Sequence, residues 1–130
     1  MMDKKIVFIT GVSRGIGLEI AKNFVNDGYF VIGTSRGKFD LSNELSSDNC
    51  IHLSVDVTNR DQVSSCLDEL KSIDKIPNVL INNAGITKDQ LFLRMKDDEW
   101  DDVIDSNLTS VFNITKLFVN QWLKLDLVAL

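Results

Sequence analysis

A short apolar run, Ile6–Thr10, ends directly in Gly11-Val12-Ser13-Arg14-Gly15-Ile16-Gly17, and apolar residues at helical spacing follow at once. Few arrangements use three glycines between a strand and a helix. Glycine lets the chain turn tightly, brings backbone close to a bound anion, and allows the helix to pack closely on the strand. The first helical turn then offers unpaired N–H groups and the positive end of the helix dipole to that anion. The spacing is G-x-x-x-G-x-G, and no Gly-Lys-Ser/Thr closes it, which argues against nucleoside-triphosphate hydrolysis.

The remaining elements supply the setting. Runs rich in Val, Ile and Phe at Ile6–Thr10, Phe30–Ser35, 51–55 and 79–82 carry little polar alternation, as strands covered on both faces do. Ile16, Ile20, Phe24 and Val25 keep helical spacing until Asp27-Gly28 breaks it. Val63, Leu67 and Leu70 do the same behind a capping-box pattern of Thr58 and Asp61. Residues 39–49 are polar and read as either a brief helix or a loop. Strands alternating with helices predict one α/β domain with right-handed crossovers.

After Asn82 a loop over residues 83–95 leads into one long helix from about Asp97. Trp100, Val103, Ile104, Leu108, Val111, Phe112, Phe118, Val119 and Trp122 predict a single apolar stripe along it. Asp97, Asp98, Glu99, Asp101 and Asp102 fall in its first two turns, where the helix dipole favours negative charge. Asn107 breaks the stripe. An amide on an apolar face needs its hydrogen bonds met, so Asn107 is either a structural clamp or a site residue.

Size and charge narrow the partners. A chain of 130 residues fits one domain with a real core. A net charge of −5 argues against an extended nucleic-acid surface or a basic membrane face. No apolar run approaches the roughly 18 residues of a membrane span, and Met1-Met2-Asp3-Lys4-Lys5 has no signal-peptide layout. Cys50, Cys66 and the single histidine, His52, show no metal-ligand spacing. The expectation is two free thiols in a reduced cytoplasm, and no metal.

The second strand separates the dinucleotide cofactors. Folds that bind NAD usually place Asp or Glu about 20 residues after the glycines, to grip the ribose 2′-hydroxyl. Here that strand ends Gly33-Thr34-Ser35-Arg36, without a carboxylate. An arginine there attracts a 2′-phosphate through charge-assisted hydrogen bonds. Arg14 and Arg36 are therefore expected to bracket that phosphate, favouring NADP(H) over NAD(H).

Four motifs occur in order: residues 10–17, Asp56-Val57-Thr58, Asn82-Asn83-Ala84-Gly85, and Asn107-Leu108-x-x-x-Phe112. In these the chain resembles the short-chain dehydrogenase/reductase family. Asn83-Ala84-Gly85-Ile86-Thr87-Lys88-Asp89, Arg94-Met95 and Trp100 add likeness to its 3-oxoacyl-[acyl-carrier-protein] reductases and acetoacetyl-CoA reductases. The resemblance, over residues 4 to about 120, implies a Rossmann-type parallel sheet with flanking helices, cut short after about four strands and the long helix that follows. It implies that Gly11, Ser13, Arg14, Gly15, Ile16 and Gly17 hold the pyrophosphate and adenosine side. Asp56 and Val57 would contact the adenine, and Asn83, Ala84 and Gly85 would line the adenosine ribose. Asn107 matches the family's catalytic Asn, which holds a water of the proton relay. The implied substrate is a 3-oxoacyl thioester on acyl carrier protein or coenzyme A, in a cytoplasmic homo-oligomer.

The same resemblance implies a Tyr that donates a proton, a Lys four positions on, and a Ser that orients the carbonyl. The only tyrosine is Tyr29, followed four positions later by Gly33. The chain is therefore expected to be inactive alone. An alternative expectation is a non-enzymatic module that pairs with an intact homologue. Residues 121–130 depart from the family pattern. One choice of codons for them, read in another frame, gives Met-Val-Lys-Thr-Arg-Phe-Gly-Arg-Ile-Ile, as a single-base deletion after Asn120 would.

Overall fold

The computed structural model describes residues 5–86 and 91–125. Strands β1 (Ile6–Thr10), β2 (Phe30–Ser35), β3 (Cys50–Ser54) and β4 (Val79–Ile81) form one parallel sheet in the order β3-β2-β1-β4. Ile6 pairs with Phe30, Val31 with Cys50, and Val7 with Val79. Helices α1 (Gly15–Asn26), α2 (Leu41–Leu45), α3 (Arg60–Ser72), α4 (Asp97–Ile104) and α5 (Ser110–Lys124) complete the described elements. A turn of 3-10 helix at Phe92–Arg94 precedes α4.

Every residue of β1 is buried because helices cover both faces of the sheet. Side chains alternate along a strand, so Ile6 and Phe8 join Val63, Cys66 and Leu70 of α3 and Ile114 and Phe118 of α5. Val7 and Ile9 point the other way, toward Ala21 of α1 and Leu41 and Leu45 of α2. The rings of Phe8 and Phe118 lie 4.8 Å apart. At the far end of α5, Trp122 Nε1 donates to the Pro77 carbonyl at 2.6 Å, fastening the helix to the approach of β4.

Several local expectations need correction. The third strand starts one residue early, at Cys50, and the fourth ends at Ile81. The cap of α3 is Asn59, whose side chain accepts from the Gln62 N–H, and not Thr58. Thr58 instead donates its hydroxyl and backbone N–H to the Asp56 carboxylate. Within residues 39–49 there is a short helix, α2, capped by Asp40.

The long helix is not continuous. A π-type turn at Asp105–Thr109 separates α4 from α5. One extra residue in such a turn rotates the following face by about 100°. The face of α5 that packs inward is therefore Ser110, Asn113, Ile114, Phe118 and Gln121. Leu108 and Phe112, expected in the buried stripe, are 64% and 55% exposed. Trp100 is also exposed. Hydropathy misplaced the stripe because three of these five inward residues are polar. Asn113 Nδ2 donates to the Val57 carbonyl at 3.2 Å, and its Oδ1 accepts from Arg60 Nε at 3.2 Å. The Ser110 hydroxyl donates to the Ser106 carbonyl at 2.6 Å. The polar side chains thus serve as connections between elements.

This assignment separates two phenylalanines on one helix. Phe118→Ala should cost about 3–5 kcal/mol of stability, whereas Phe112→Ala should cost less than about 0.5 kcal/mol. Urea denaturation of the two variants measures both values. Equal losses would show that the inward face of α5 is misassigned.

Candidate functional site

The site lies at the C-terminal ends of β1, β2 and β4, where the connecting loops converge. Gly11 leaves β1 at φ 72°, a left-handed conformation suited to glycine. Its N–H and that of Val12 both donate to the Thr34 carbonyl, at 2.8 and 3.1 Å, which ties the turn to β2. A second set of bonds ties it to β4. The Thr10 hydroxyl oxygen accepts from the backbone N–H groups of Asn83 and Ala84 at 3.0 and 2.9 Å. Asn83 Nδ2 donates to the Gly11 carbonyl at 3.0 Å. A Cβ on Gly17 would collide with that same carbonyl, so only glycine lets α1 come this close.

Helix α1 begins beside this junction in a distinctive state. Asp40 and Asn59 cap α2 and α3 with their side chains. Arg14, at the start of α1, makes no such bond, and the first turn holds no acidic residue. Its opening N–H groups therefore face an open position at Gly15, around which a Cβ would meet nothing within 4 Å. Thr34 is buried and borders the adjoining cleft, and its Oγ1 has no hydrogen-bond partner. An unpartnered buried hydroxyl, an uncapped helix start and two cleft-lining arginines fit a phosphate-bearing ligand.

Two adjoining clefts meet here. One, of about 810 Å³, is bordered by Arg14, Arg36, Asn82–Ile86, Asp102, Asn107 and Val111. The other, of about 520 Å³, runs along Gly11, Ser13, Thr34–Lys38, Val55 and Val57 and shares Arg14, Arg36 and residues 83–86 with the first. Gly11, Ser13, Arg14, Arg36, Val57, Asn83, Ala84, Gly85 and Asn107 all border one or both of these clefts. Gly15, Ile16 and Gly17 do not border either cleft; Gly17 permits the close approach of α1, and Ile16 is 74% exposed. Thr87, Lys88 and Asp89 lie outside the described residues.

Asp56 does not itself border either cleft, although its neighbour Val57 does. Burial alone would raise its carboxyl, but hydrogen bonds from the Thr58 side chain and backbone, with the Arg36 guanidinium nearby, hold it below its ordinary value. Arg36 Nε stands 3.7 Å from Asp56 Oδ1, and Arg36 Nη2 donates to the Ser106 hydroxyl at 3.5 Å. Both contacts are long, and the Arg36 side chain is 63% exposed, so they leave it free to turn.

Asn107 is exposed, which corrects its expected place on a buried face. The π-type turn aims it at the loop after β4. Its Oδ1 accepts from the Ile86 N–H at 2.7 Å, and its Nδ2 donates to the Ile86 carbonyl at 2.8 Å. A Cβ on Gly85 would stand 2.8 Å from Asn107 Oδ1, so glycine there permits the approach. Sequence reasoning missed Thr10, Thr34, Ser35 and Ser106. Thr10 and Thr34 stand at the strand ends that carry the motifs, a signal available in the sequence. Ser106 needs the π-type turn to be seen.

The cysteines take no part. Burial raises both thiols, that of Cys66 to about 12, and neither offers a thiolate. No cluster of three or more potential metal ligands occurs among the described residues. Nor is any helix among them long and apolar enough to cross a membrane.

The sequence pattern of the short chain dehydrogenase family matches residues 5–126. The chain belongs to that family. The 3-oxoacyl-[acyl-carrier-protein] reductase FabG of Salmonella typhimurium is 42% identical over 123 residues, which are 92% of this chain and 50% of that protein. FabG of Haemophilus influenzae is 39% identical, over 95% of this chain and 52% of its own length. The chain thus spans about half the length of the curated relatives it matches. Among solved structures, ElxO with NADPH bound matches at TM-score 0.85 and 30% identity, over 95% of this chain and 52% of that one. A short chain dehydrogenase of Leptospira borgpetersenii with bound NAD+ matches at TM-score 0.85 and 28% identity, over 92% and 46%.

The paired bonds to Ile86 assign Asn107 a measurable structural duty. Asn107→Ala should speed amide hydrogen exchange at Ile86 by about tenfold, the equivalent of one lost hydrogen bond. Unchanged protection at Ile86 would contradict this.

Proposed function

We propose that this chain is the NADP(H)-binding part of a reductase acting on 3-oxoacyl thioesters, carried by acyl carrier protein or coenzyme A. The observation that carries the cofactor assignment is the convergence of Arg14 and Arg36 on both clefts, beside a strand that ends in Ser35 and not in a carboxylate. Guanidinium groups bind a 2′-phosphate through charge-assisted hydrogen bonds, and a carboxylate at that point would repel it. The substrate class rests on the likeness to FabG, whose name specifies 3-oxoacyl groups on acyl carrier protein.

When bound, NADPH supplies a hydride for a ketone. The chain's own residues would do the holding. The start of α1 receives the pyrophosphate, Arg14 and Arg36 take the 2′-phosphate, and Val57 and Ala84 border the adenosine. Asn107 uses one lone pair and one N–H on Ile86, so one of each remains for a relay water.

A proton donor of the family's kind is absent from the described cleft. Tyr29, the only tyrosine, packs edge-on against Phe24 at 4.8 Å, just before β2. That is the opposite end of the strand from Ser35, about 20 Å along it. The chain on its own is therefore assigned binding without turnover.

Two measurements test these assignments. Calorimetry should show tighter binding of NADPH than NADH, and Arg36→Asp should reverse the order by giving the free 2′-hydroxyl a carboxylate partner. Equal affinities in the parent chain would overturn the assignment of NADP(H). Purified chain mixed with NADPH and a 3-oxoacyl thioester should show no oxidation of the cofactor. Turnover of about 1 per second or faster would refute the inactivity.

A further inference from the structure

His52, the only histidine, lies on β3 opposite Gly33, one strand away from the cleft wall. Its Nε2 is 2.6 Å from the Ser35 hydroxyl oxygen, and its ring meets Phe39 edge-on at 5.8 Å. Ser35 borders the same cleft as Arg14, Arg36 and Lys38. We propose that His52 is a positioning residue that turns Ser35 into a hydrogen-bond donor toward the 2′-phosphate, a role that rests on the NADP(H) assignment above.

Burial holds His52 below its ordinary value, so the ring is neutral at pH 7, with one nitrogen donating and the other accepting. The Ser35 hydroxyl also faces the Gly37 carbonyl at 3.4 Å, as donor. Both contacts hold together in one arrangement only. Nε2–H donates to Ser35 Oγ, and the Ser35 proton points onward to Gly37. With the other tautomer the Ser35 proton would be spent on the ring, and its oxygen would face the Gly37 carbonyl lone pair to lone pair.

The outward bond is easily given up. At 3.4 Å it is long for a hydroxyl donor. The Gly37 carbonyl also accepts from the Ser54 hydroxyl at 3.1 Å, so it keeps a partner when Ser35 turns away. A phosphate oxygen arriving between the two arginines receives a proton already directed outward. The 2′-hydroxyl of NAD(H) can donate or accept, so it gains far less from a Ser35 held as donor. His52 thereby adds to discrimination between the cofactors without touching either.

The test compares dissociation constants for NADPH and NADH in the parent, His52→Phe, Ser35→Ala and the double variant. Phenylalanine keeps an aromatic ring against Phe39 and removes the hydrogen bond. Each single variant should lose about tenfold in NADPH affinity, with NADH affinity within about twofold of the parent. The double variant should be no worse than Ser35→Ala alone, because both changes remove one shared interaction. His52→Phe that keeps the parent's ratio of the two affinities overturns the proposal while leaving the cofactor assignment standing. Equal losses for both cofactors also overturn it, as the mark of a merely structural histidine. A parent chain without preference for NADPH overturns both.

Discussion

The Asn83 side chain reaches the Gly11 carbonyl through a gap that would close if residue 17 carried a Cβ. That contact joins the turn after β1 and the start of α1 to the loop after β4, 72 residues further along the chain. Thr10 doubles the connection by accepting from two successive backbone N–H groups of that loop. The clefts exist because these loops are held at a fixed separation. The helix start stays uncapped because its N-cap residue is Arg14, whose side chain offers no acceptor to those N–H groups. A site for a phosphate is therefore a consequence of how the strand ends are tied together, and requires no further element.

The second support comes from the opposite side of the sheet. Phe118 and Ile114 anchor α5 on β1, and Trp122 pins its end to Pro77. With α5 fixed, the π-type turn before it projects Asn107 across to Ile86. Such turns interrupt a helix at a cost in regularity and often coincide with sites. Here the interruption has a visible use. A continuous helix would carry Asn107 round to a different face, and the loop at residues 83–86 would lose both bonds to it.

The α/β layering was legible in the sequence because strands buried on both faces read as unbroken apolar runs. The glycine turn was legible because few other structures need those residues between strand and helix. The likeness of Asn82-Asn83-Ala84-Gly85 to its family marked the loop after β4, though not its bonds to Thr10 and Gly11. What failed was the orientation of α5. Periodicity assumes that buried positions are apolar, whereas Ser110, Asn113 and Gln121 face inward on bonds or packing that hydropathy does not register. One residue's worth of extra turn then shifted the phase, so Leu108 and Phe112 were assigned to the wrong side. The Ser35–His52 pair was illegible for another reason: its partners sit on neighbouring strands, and only the register brings them together.

The chain belongs to the short chain dehydrogenase family and carries, within about half the length of its FabG relatives, two adjoining clefts bordered between them by residues from each of the four ordered motifs. The proposal on which the others depend is that these clefts receive NADP(H). A map of backbone amide chemical shifts during addition of NADPH tests it most directly. The largest changes are expected at Ser13–Gly17, Ser35–Lys38 and Asn83–Ile86, with little change at Phe112 and Lys116. Changes concentrated on the outward face of α5, with the glycine turn unaffected, would contradict it.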